Sequence, residues 1–408
     1  MLNRNYVLAF ILIAVGLSCS WLYHLDVSPL PFRIFISTPR FLDDIPSQFP
    51  DTVDPVQGSS NTSYNYTSTT AISPADSSDV QHIIFGATQL WQRQPWAGLL
   101  DLEHCVYKNC ISRNSTKFIG VDEAAVVIFA EKFFKDFPSV PWSVRQRQYW
   151  VIMSYESSSY MFNRFSAKYN SHFNASMLYR KDSNIYYPWG KSIKRQTDLK
   201  PNINFAANKA KGAFAYLSNC GSSNYDRKAL MLELKKYVDV DIYSTQCKGY
   251  GFMRSPCPRL SKGSNPDCEL RFNRPYRFYL AFENSLCKDY ITEKLWDRLA
   301  SPGYFLPVAM GGLSIEDYTS IAPPNSFVHV SNFSSVKALG AHLKRLMQDD
   351  AAYNRYHEWR YNYSIDTSRG FGGCELCRLA NERPAMPSQA HIDQWFNDPS
   401  RCRKYLIH

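Results

Sequence analysis

From Val80 onward the chain breaks into short apolar runs separated by polar stretches. HIIFGA (82–87), AAVVIFA (124–130) and YWVIMSY (149–155) are mostly apolar runs of strand length. Such runs suit strands covered on both faces, as in a parallel sheet. A polar segment around Ile193–Asn208, with Pro201 inside it, reads as an interdomain linker. A second series follows. AFAYLSN (213–219) predicts a strand, Gly221-Ser222-Ser223 a turn, and RKALMLELKKYV (227–238) an amphipathic helix with Leu230, Leu234 and Val238 on one face. VDIYS (240–244), RFYLAFEN (277–284), YFLPVAM (304–310) and SFVHV (326–330) predict further strands, and ITEKLWDRLA (291–300) and VKALGAHLKRLM (336–347) predict helices. Alternation of strands and helices, twice over, predicts the α/β class with two doubly wound domains facing a cleft. The first is placed at 80–200, the second at 201–365, and a tail at 366–408.

The N-terminal region has a different texture. Tyr6–Tyr23 is 18 residues without a charge, long enough to cross a hydrocarbon core of ~30 Å. Arg4 precedes it and no Lys/Arg cluster follows closely, which predicts a cytosolic tail at 1–5, a signal-anchor at 6–23 and a lumenal remainder. A cleaved signal peptide would have an apolar core of roughly 7–15 residues and a small-residue cleavage site, whereas bulky Trp21, Leu22 and Tyr23 end this one. Residues 24–79 are rich in Pro, Ser, Thr, Asn and Asp and read as a flexible stalk. Glycosylation sequons at Asn61, Asn65, Asn114, Asn174, Asn332 and Asn362 fit a secretory lumen, here the Golgi.

Composition adds three constraints. With 408 residues, 45% hydrophobic and 15% aromatic, the chain can bury two cores. The net charge of +10 is scattered, whereas nucleic-acid binding needs clustered basic residues; no nucleic-acid partner is expected. A mild basic bias still suits an anionic small substrate such as a nucleotide sugar. Of eleven cysteines, Cys19 lies in the apolar segment, leaving an even set suited to disulfides. Cys374-Glu-Leu-Cys377 lacks the second pair of a zinc site and the flanking strand and helix of a redox motif, so it reads as disulfide-forming.

Candidate chemistry gathers at the ends of the second series. One strand ends at Phe282-Glu283-Asn284, and a helix is predicted to begin near Asp289–Ile291. Ligands collect beyond the carboxyl ends of such strands, and helix N-termini attract anions. Lys294 in that first turn opposes the helix dipole. An anionic ligand would account for it, as would pairing with Asp297 or Glu293. Arg227 opens the preceding helix in the same way, and is equally compatible with an ordinary surface residue. No G-x-x-x-x-G-K-[ST] or G-x-G-x-x-G pattern occurs at these turns, which leaves an ATPase or dinucleotide oxidoreductase unsupported. Asp239 and Asp241 straddle the amino end of a strand, away from the ligand face, so no obligatory metal is predicted; stimulation by a divalent metal stays open.

The run Phe278–Lys294 (FYLAFENSLCKDYITEK) closely resembles the signature of GDP-fucose-dependent α1,3-fucosyltransferases, glycosyltransferase family 10. LYRKDSNIYYPWG (178–190), LSNCG (217–221), LPVAMG (306–311) and CELC (374–377) resemble further family stretches in the same order. The resemblance covers about residues 80–402, and its wording is most similar to invertebrate members, including those acting on the N-glycan core. It implies two Rossmann-like domains in the GT-B arrangement, with GDP-fucose as donor and a glycoprotein glycan as acceptor. Arg227 and Lys294 would contact the diphosphate, Glu293 the ribose, and Asn284 and Tyr290 would line the donor pocket.

Inverting transfer needs a base for the sugar hydroxyl and positive charge for the departing diphosphate. The family's base follows a strand of the first domain in a motif similar to M-E-S-P. Here Met153-Ser154-Tyr155-Glu156-Ser157-Ser158 corresponds to it, which implies Glu156 as base and places Ser158 at the usual proline. Glu283 is the second carboxylate. Cys105 and Cys110 resemble cysteines that family members join to the terminal pair, here Cys374 and Cys377. Partners for Cys220, Cys247, Cys257, Cys268, Cys287 and Cys402 do not follow from spacing. The His-His-Arg-Asp pattern of many vertebrate Lewis-type members is missing near Phe129–Phe137, which favours the N-glycan core over lactosamine termini as acceptor. A catalytically silent glycan-binding membrane protein is the reading from another class.

Overall fold

The computed structural model describes residues 79–403, except 87–101, 116, 131–136, 162–166, 197–202, 219–220, 222, 245–246, 248–249, 258–265, 369–371 and 386–390. The expected signal-anchor, the stalk up to residue 78, Asn61 and Asn65 lie outside the described residues. No described helix is long and apolar enough to cross a membrane.

Two parallel sheets, both within one unit of the chain, form the framework. The first contains β1 (Gln81–Gly86), β2 (Cys110–Ser115), β3 (Ala124–Ala130), β4 (Tyr149–Ser154), β5 (Ala175–Leu178) and β6 (Ile185–Tyr186). Their order is β2-β1-β3-β4-β5-β6. Alternate side chains leave opposite faces of a strand, so each apolar run feeds two cores. Ile84, Val127, Phe129 and Ile152 pack on one face, and Ile83, Val126, Ile128 and Met153 on the other.

The second sheet contains β7 (Lys211–Tyr216), β8 (Val240–Tyr243), β9 (Tyr276–Phe282), β10 (Leu306–Met310) and β11 (Val328–His329). The order β11-β10-β9-β7-β8 puts β9 at the centre. Its helices are α1 (Arg227–Leu234), α2 (Glu293–Ala300) and α3 (Val336–Gln348). Each starts at a side-chain cap, Asp226, Thr292 and Ser335 respectively, which satisfies a backbone N–H left over in the first turn.

Three expectations are corrected. Helix α2 opens at Glu293 rather than near Asp289–Ile291. Asp289 is left-handed, with φ 61°, and Thr292 is extended while its Oγ1 accepts from the Lys294 amide; neither conformation continues a helix. The strand expected at 326–330 is only two residues long and passes into a 3-10 turn at Val330–Asn332. The linker read at Ile193–Asn208 begins inside a strand, Lys191–Lys194, that pairs antiparallel with Tyr363–Asp366. Phe205 and Ala206 of the same segment are buried in the second core.

The chain then returns to the first sheet. Helix α4 (Gly373–Glu382) lays Leu376, Leu379 and Ala380 on one face, and Ile392 and Phe396 cover the other. Disulfides Cys105–Cys374 and Cys110–Cys377 fasten α4 to the loop before β2 and to the first residue of β2. Further bonds join Cys257 to Cys268 and Cys287 to Cys402, and Cys247 is also disulfide-bonded. Closing loops this long removes conformational freedom chiefly from the unfolded chain. Between the halves, Gly190 lies so close to the Trp296 ring of α2 that a Cβ there would collide with it.

Candidate active site

The turn after β9 carries the densest polar cluster. Glu283 is fully buried. Its carboxylate accepts from the Thr292 backbone N–H at 2.7 Å, from Thr292 Oγ1, and from Lys294 Nζ at 3.1 Å. Lys294 Nζ also donates to Thr292 Oγ1 at 2.9 Å and to Glu293 at 3.2 Å. The cation at the helix start is therefore held by Glu283 and Glu293, and it folds back over its own N-cap. Of the two sequence neighbours considered for Lys294, Glu293 is the one seen paired with it. Burial alone would depress the Lys294 ammonium, but the two carboxylates outweigh it and hold the pKa above the ordinary lysine value. Burial likewise pushes Glu293 up, and Lys294 brings it below the usual glutamate value. Glu283 stays raised by its burial in spite of Lys294. Gly311 permits this packing, because a Cβ there would strike Glu283 Cγ and the Tyr318 hydroxyl.

Arg227 reaches the same turn from the opening of α1. It is buried, and its Nη1 donates to the Phe282 carbonyl at 3.3 Å. The Tyr225 hydroxyl donates to the Glu283 carbonyl at 2.9 Å, and the Asn224 amide N–H to the Asn284 carbonyl at 3.2 Å. The loops following β7 and β9 are thus one assembly at the carboxyl end of the sheet. Near that assembly, the buried Asn284 Oδ1, the Tyr318 hydroxyl on the short helix after β10, and His329 Nε2 at the end of β11 make no hydrogen bond among the described residues. A buried polar atom without a partner is costly, so this end of the sheet is suited to a polar ligand.

Glu156 approaches from the first sheet, in the loop after β4. It is half-buried and accepts from the Tyr290 hydroxyl at 3.3 Å. Next to it, Ser157 Oγ donates to Ser285 Oγ at 2.6 Å across the two halves. Burial, and then the neighbouring Glu156 and Glu283 carboxylates, raise the Tyr290 phenol well above its ordinary value. Tyr290 therefore remains a hydrogen-bond donor. Its ring meets Tyr179 edge to face at 5.0 Å.

All six residues named for base, diphosphate, ribose and pocket thus border one region where the two halves meet. Glu283 is turned inward to Thr292 and Lys294, whereas Glu156 is the half-buried carboxylate. Asp241 accepts from the Tyr276 hydroxyl and pairs with Lys211 at the amino end of the sheet. Among the described residues no group of three or more His, Cys, Asp or Glu is placed to hold a metal. Sequence reasoning missed Thr292, Ser157, Ser285, Tyr318 and His329. Thr292 carried a usable signal, a threonine directly before an amphipathic run; the others meet only through tertiary contact.

Comparison with known proteins gives the class. Residues 81–190 match the model for "Fucosyltransferase, N-terminal", and residues 206–395 that for "Glycosyltransferase family 10 (fucosyltransferase) C-term". The chain belongs to glycosyltransferase family 10, the fucosyltransferases, and is a glycosyltransferase. It is 30% identical over 322 residues to alpha-(1,3)-fucosyltransferase C of Drosophila melanogaster, a match covering 74% of this chain and 70% of that one. It is 35% identical over 235 residues to glycoprotein 3-alpha-L-fucosyltransferase A of the same organism, covering 56% of this chain and 44% of the relative. A human 4-galactosyl-N-acetylglucosaminide 3-alpha-L-fucosyltransferase is 35% identical over 277 residues, 67% of this chain and 71% of that one.

Proposed function

We propose that this protein transfers L-fucose from GDP-fucose to GlcNAc in α1,3 linkage, with inversion at the sugar, on the N-glycan core of glycoproteins. The observation that carries the reading is the contact of Glu156 with Tyr290 at 3.3 Å. It joins a carboxylate of one half to the turn of the other half that holds Lys294 and Arg227. In the reaction Glu156 takes the proton of the acceptor hydroxyl, whose oxygen attacks C1 of fucose. The bond from C1 to the β-phosphate oxygen breaks, and GDP leaves with the electron pair. Lys294 and Arg227 stabilise the charge that develops on the diphosphate. Lys294 has three donors, so the diphosphate enters by exchange with carboxylate partners at the opening of α2. Glu293 is assigned to the ribose, and Asn284 and Tyr290 to the pocket wall.

The two sheets are read as the two domains of a GT-B enzyme, at 80–200 and 201–365. The chain is read as a type II single-pass protein of the Golgi membrane with a lumenal catalytic part, on the strength of Tyr6–Tyr23 and the sequons. The names of the relatives point to two acceptors. The fly protein is a glycoprotein fucosyltransferase, whereas the human one acts on 4-galactosyl-N-acetylglucosaminide, which supports lactosamine termini as the second reading. Incubation of the lumenal part with GDP-fucose and defined N-glycans separates the two. Transfer to core GlcNAc is expected. Transfer only to lactosamine termini overturns the core reading, and no GDP release with any acceptor, in favour of a silent glycan-binding protein, overturns the enzyme reading.

A further inference from the structure

The signature turn is gripped by residues from the far end of the described chain. Leu286 and Cys287 pair antiparallel with Arg403 and Cys402, and the Lys288 amide donates to the Arg401 carbonyl at 2.8 Å. The Cys287–Cys402 disulfide locks this pairing, with Cα atoms 4.0 Å apart. Asn224 Nδ2, from the loop before α1, donates to the Arg403 carbonyl at 3.1 Å. The short strand Cys402–Arg403 therefore contacts both loops of the second sheet that carry the site.

It also reaches the first half. Cys402 Sγ lies 3.2 Å from Ser158 Oγ, two residues after Glu156. Arg401 pairs with Asp182 at 3.1 Å, in the loop after β5, where Asp182 also pairs with buried Arg180. Beside it, the Lys181 amide donates to Asp289 Oδ2 at 3.2 Å, and Tyr179, Cys287 and Tyr290 form one buried cluster with Cys402 against it. Asp289 is left-handed, an unfavourable state for a residue with a Cβ, and it immediately precedes Tyr290. Such a backbone state persists where its surroundings over-determine it.

We propose that Arg401–Arg403, cross-linked through Cys287–Cys402, is a positioning strap that holds the Glu156 loop and the Tyr290 turn in register. The strap acts through Glu156 and Tyr290 and is not placed to touch the reacting atoms. It rests on the reading of Glu156 as base. Lys294 and Arg227 are fixed from the other side of the turn, by Glu283, Thr292 and the Phe282 carbonyl. Its loss should accordingly misalign the base without releasing the diphosphate site. A displacement of about 1 Å in a reacting pair is worth on the order of 10²-fold in rate.

The test is a comparison of two paired substitutions in the full lumenal chain. Cys287→Ala with Cys402→Ala should lower kcat by roughly tenfold to a hundredfold, while GDP affinity stays within about twofold. Cys257→Ala with Cys268→Ala, a disulfide away from the strap, should leave kcat unchanged. In the strap variant, amide hydrogen exchange should accelerate at Ser285–Tyr290 and Glu156–Ser158. Unchanged kcat in a folded strap variant overturns the proposal, as does a parallel loss of kcat and GDP affinity. If the double variant does not fold, Arg401→Ala, which keeps the disulfide, should show the same split at a smaller size, and equal loss of both constants there overturns it. Failure of the functional reading is distinguishable: native protein would transfer no fucose, while the exchange difference would still report whether the strap orders both loops.

Discussion

In the second half, the cluster around Lys294 is closed by residues that are neighbours in sequence. Glu283, Thr292, Glu293 and Lys294 lie on one turn and the start of one helix. In the first half, the loop carrying Glu156 is backed by residues from distant parts of the chain. Tyr290 and Ser285 touch it from the second half, and Cys402 touches it from the C-terminal end. Both faces of the sheet beneath it are covered by segments beyond residue 372. Local closure makes the donor side depend on single charges, whereas long-range closure makes the base side depend on alignment. The two sides should therefore respond differently to substitution.

The largest difference is expected from removing the base. Glu156→Gln should reduce kcat by about 10²–10⁴-fold, the range for loss of a general base, while GDP binding stays within about twofold. Single-turnover rates and GDP titration measure the two separately. Near-normal turnover in Glu156→Gln would remove the base assignment and with it the asymmetry between the halves.

Lys294→Ala should act in the opposite sense. GDP affinity should fall roughly tenfold to a hundredfold, from loss of a charge-assisted contact worth about 1.5–3 kcal/mol. The folded state should suffer as well, because Glu283 is left buried without its cation, a situation that costs about 3–5 kcal/mol. Combining Lys294→Ala with Glu283→Gln removes both charges and should recover much of the lost stability without recovering GDP affinity. Recovery of GDP binding as well would mean that Lys294 serves only the fold.

The same contrast explains what was legible in the sequence. The apolar-rich strands and the helices α1 and α3 followed from pattern, because both sheets are covered on two faces. The start of α2 was misplaced because the competing signal was a left-handed Asp289, which the apolar pattern does not record. Arg227 and Lys294 could be picked out from their positions at helix openings, and Glu293 as a partner for Lys294, but not the buried Glu283 that also holds it. Glu156 was reached only through family resemblance, since nothing in its local sequence marks a base. The strand Cys402–Arg403 was invisible, because a two-residue strand has no periodicity and its partner lies 115 positions away.

A smaller effect is expected from the buried histidine of the second half. Burial, and then Arg403, lower His329 from 6.5 to about 4. In the unfolded chain it protonates near 6.5, so between there and about 4 the unfolded state binds more protons. Stability should fall as pH drops through that window, by about 1.4 kcal/mol per unit from this residue. Denaturant midpoints against pH should be less steep in His329→Asn. An unchanged slope would show that this end of the sheet opens to water more readily than its burial indicates.

The smallest effects should come from the sequons, and they too separate the halves. In the second half Asn332 and Asn362 are exposed, as is Asn114 on the edge strand β2. If the chain is lumenal, Asn332→Gln should remove one glycan-dependent shift in gel mobility and leave the thermal midpoint unchanged. Asn174 in the first half is differently placed. Its Oδ1 accepts from the Trp150 amide at 2.7 Å and its Nδ2 donates to the Gln148 carbonyl at 3.1 Å, which fixes the start of β4 upstream of Glu156. Asn174→Ala should therefore leave mobility unchanged and lower the midpoint by a few degrees, the size expected for losing about 1–2 kcal/mol of hydrogen bonding. A mobility shift at Asn174 without loss of stability would mean that its amide carries a glycan and that β4 is fixed by its sheet partners alone.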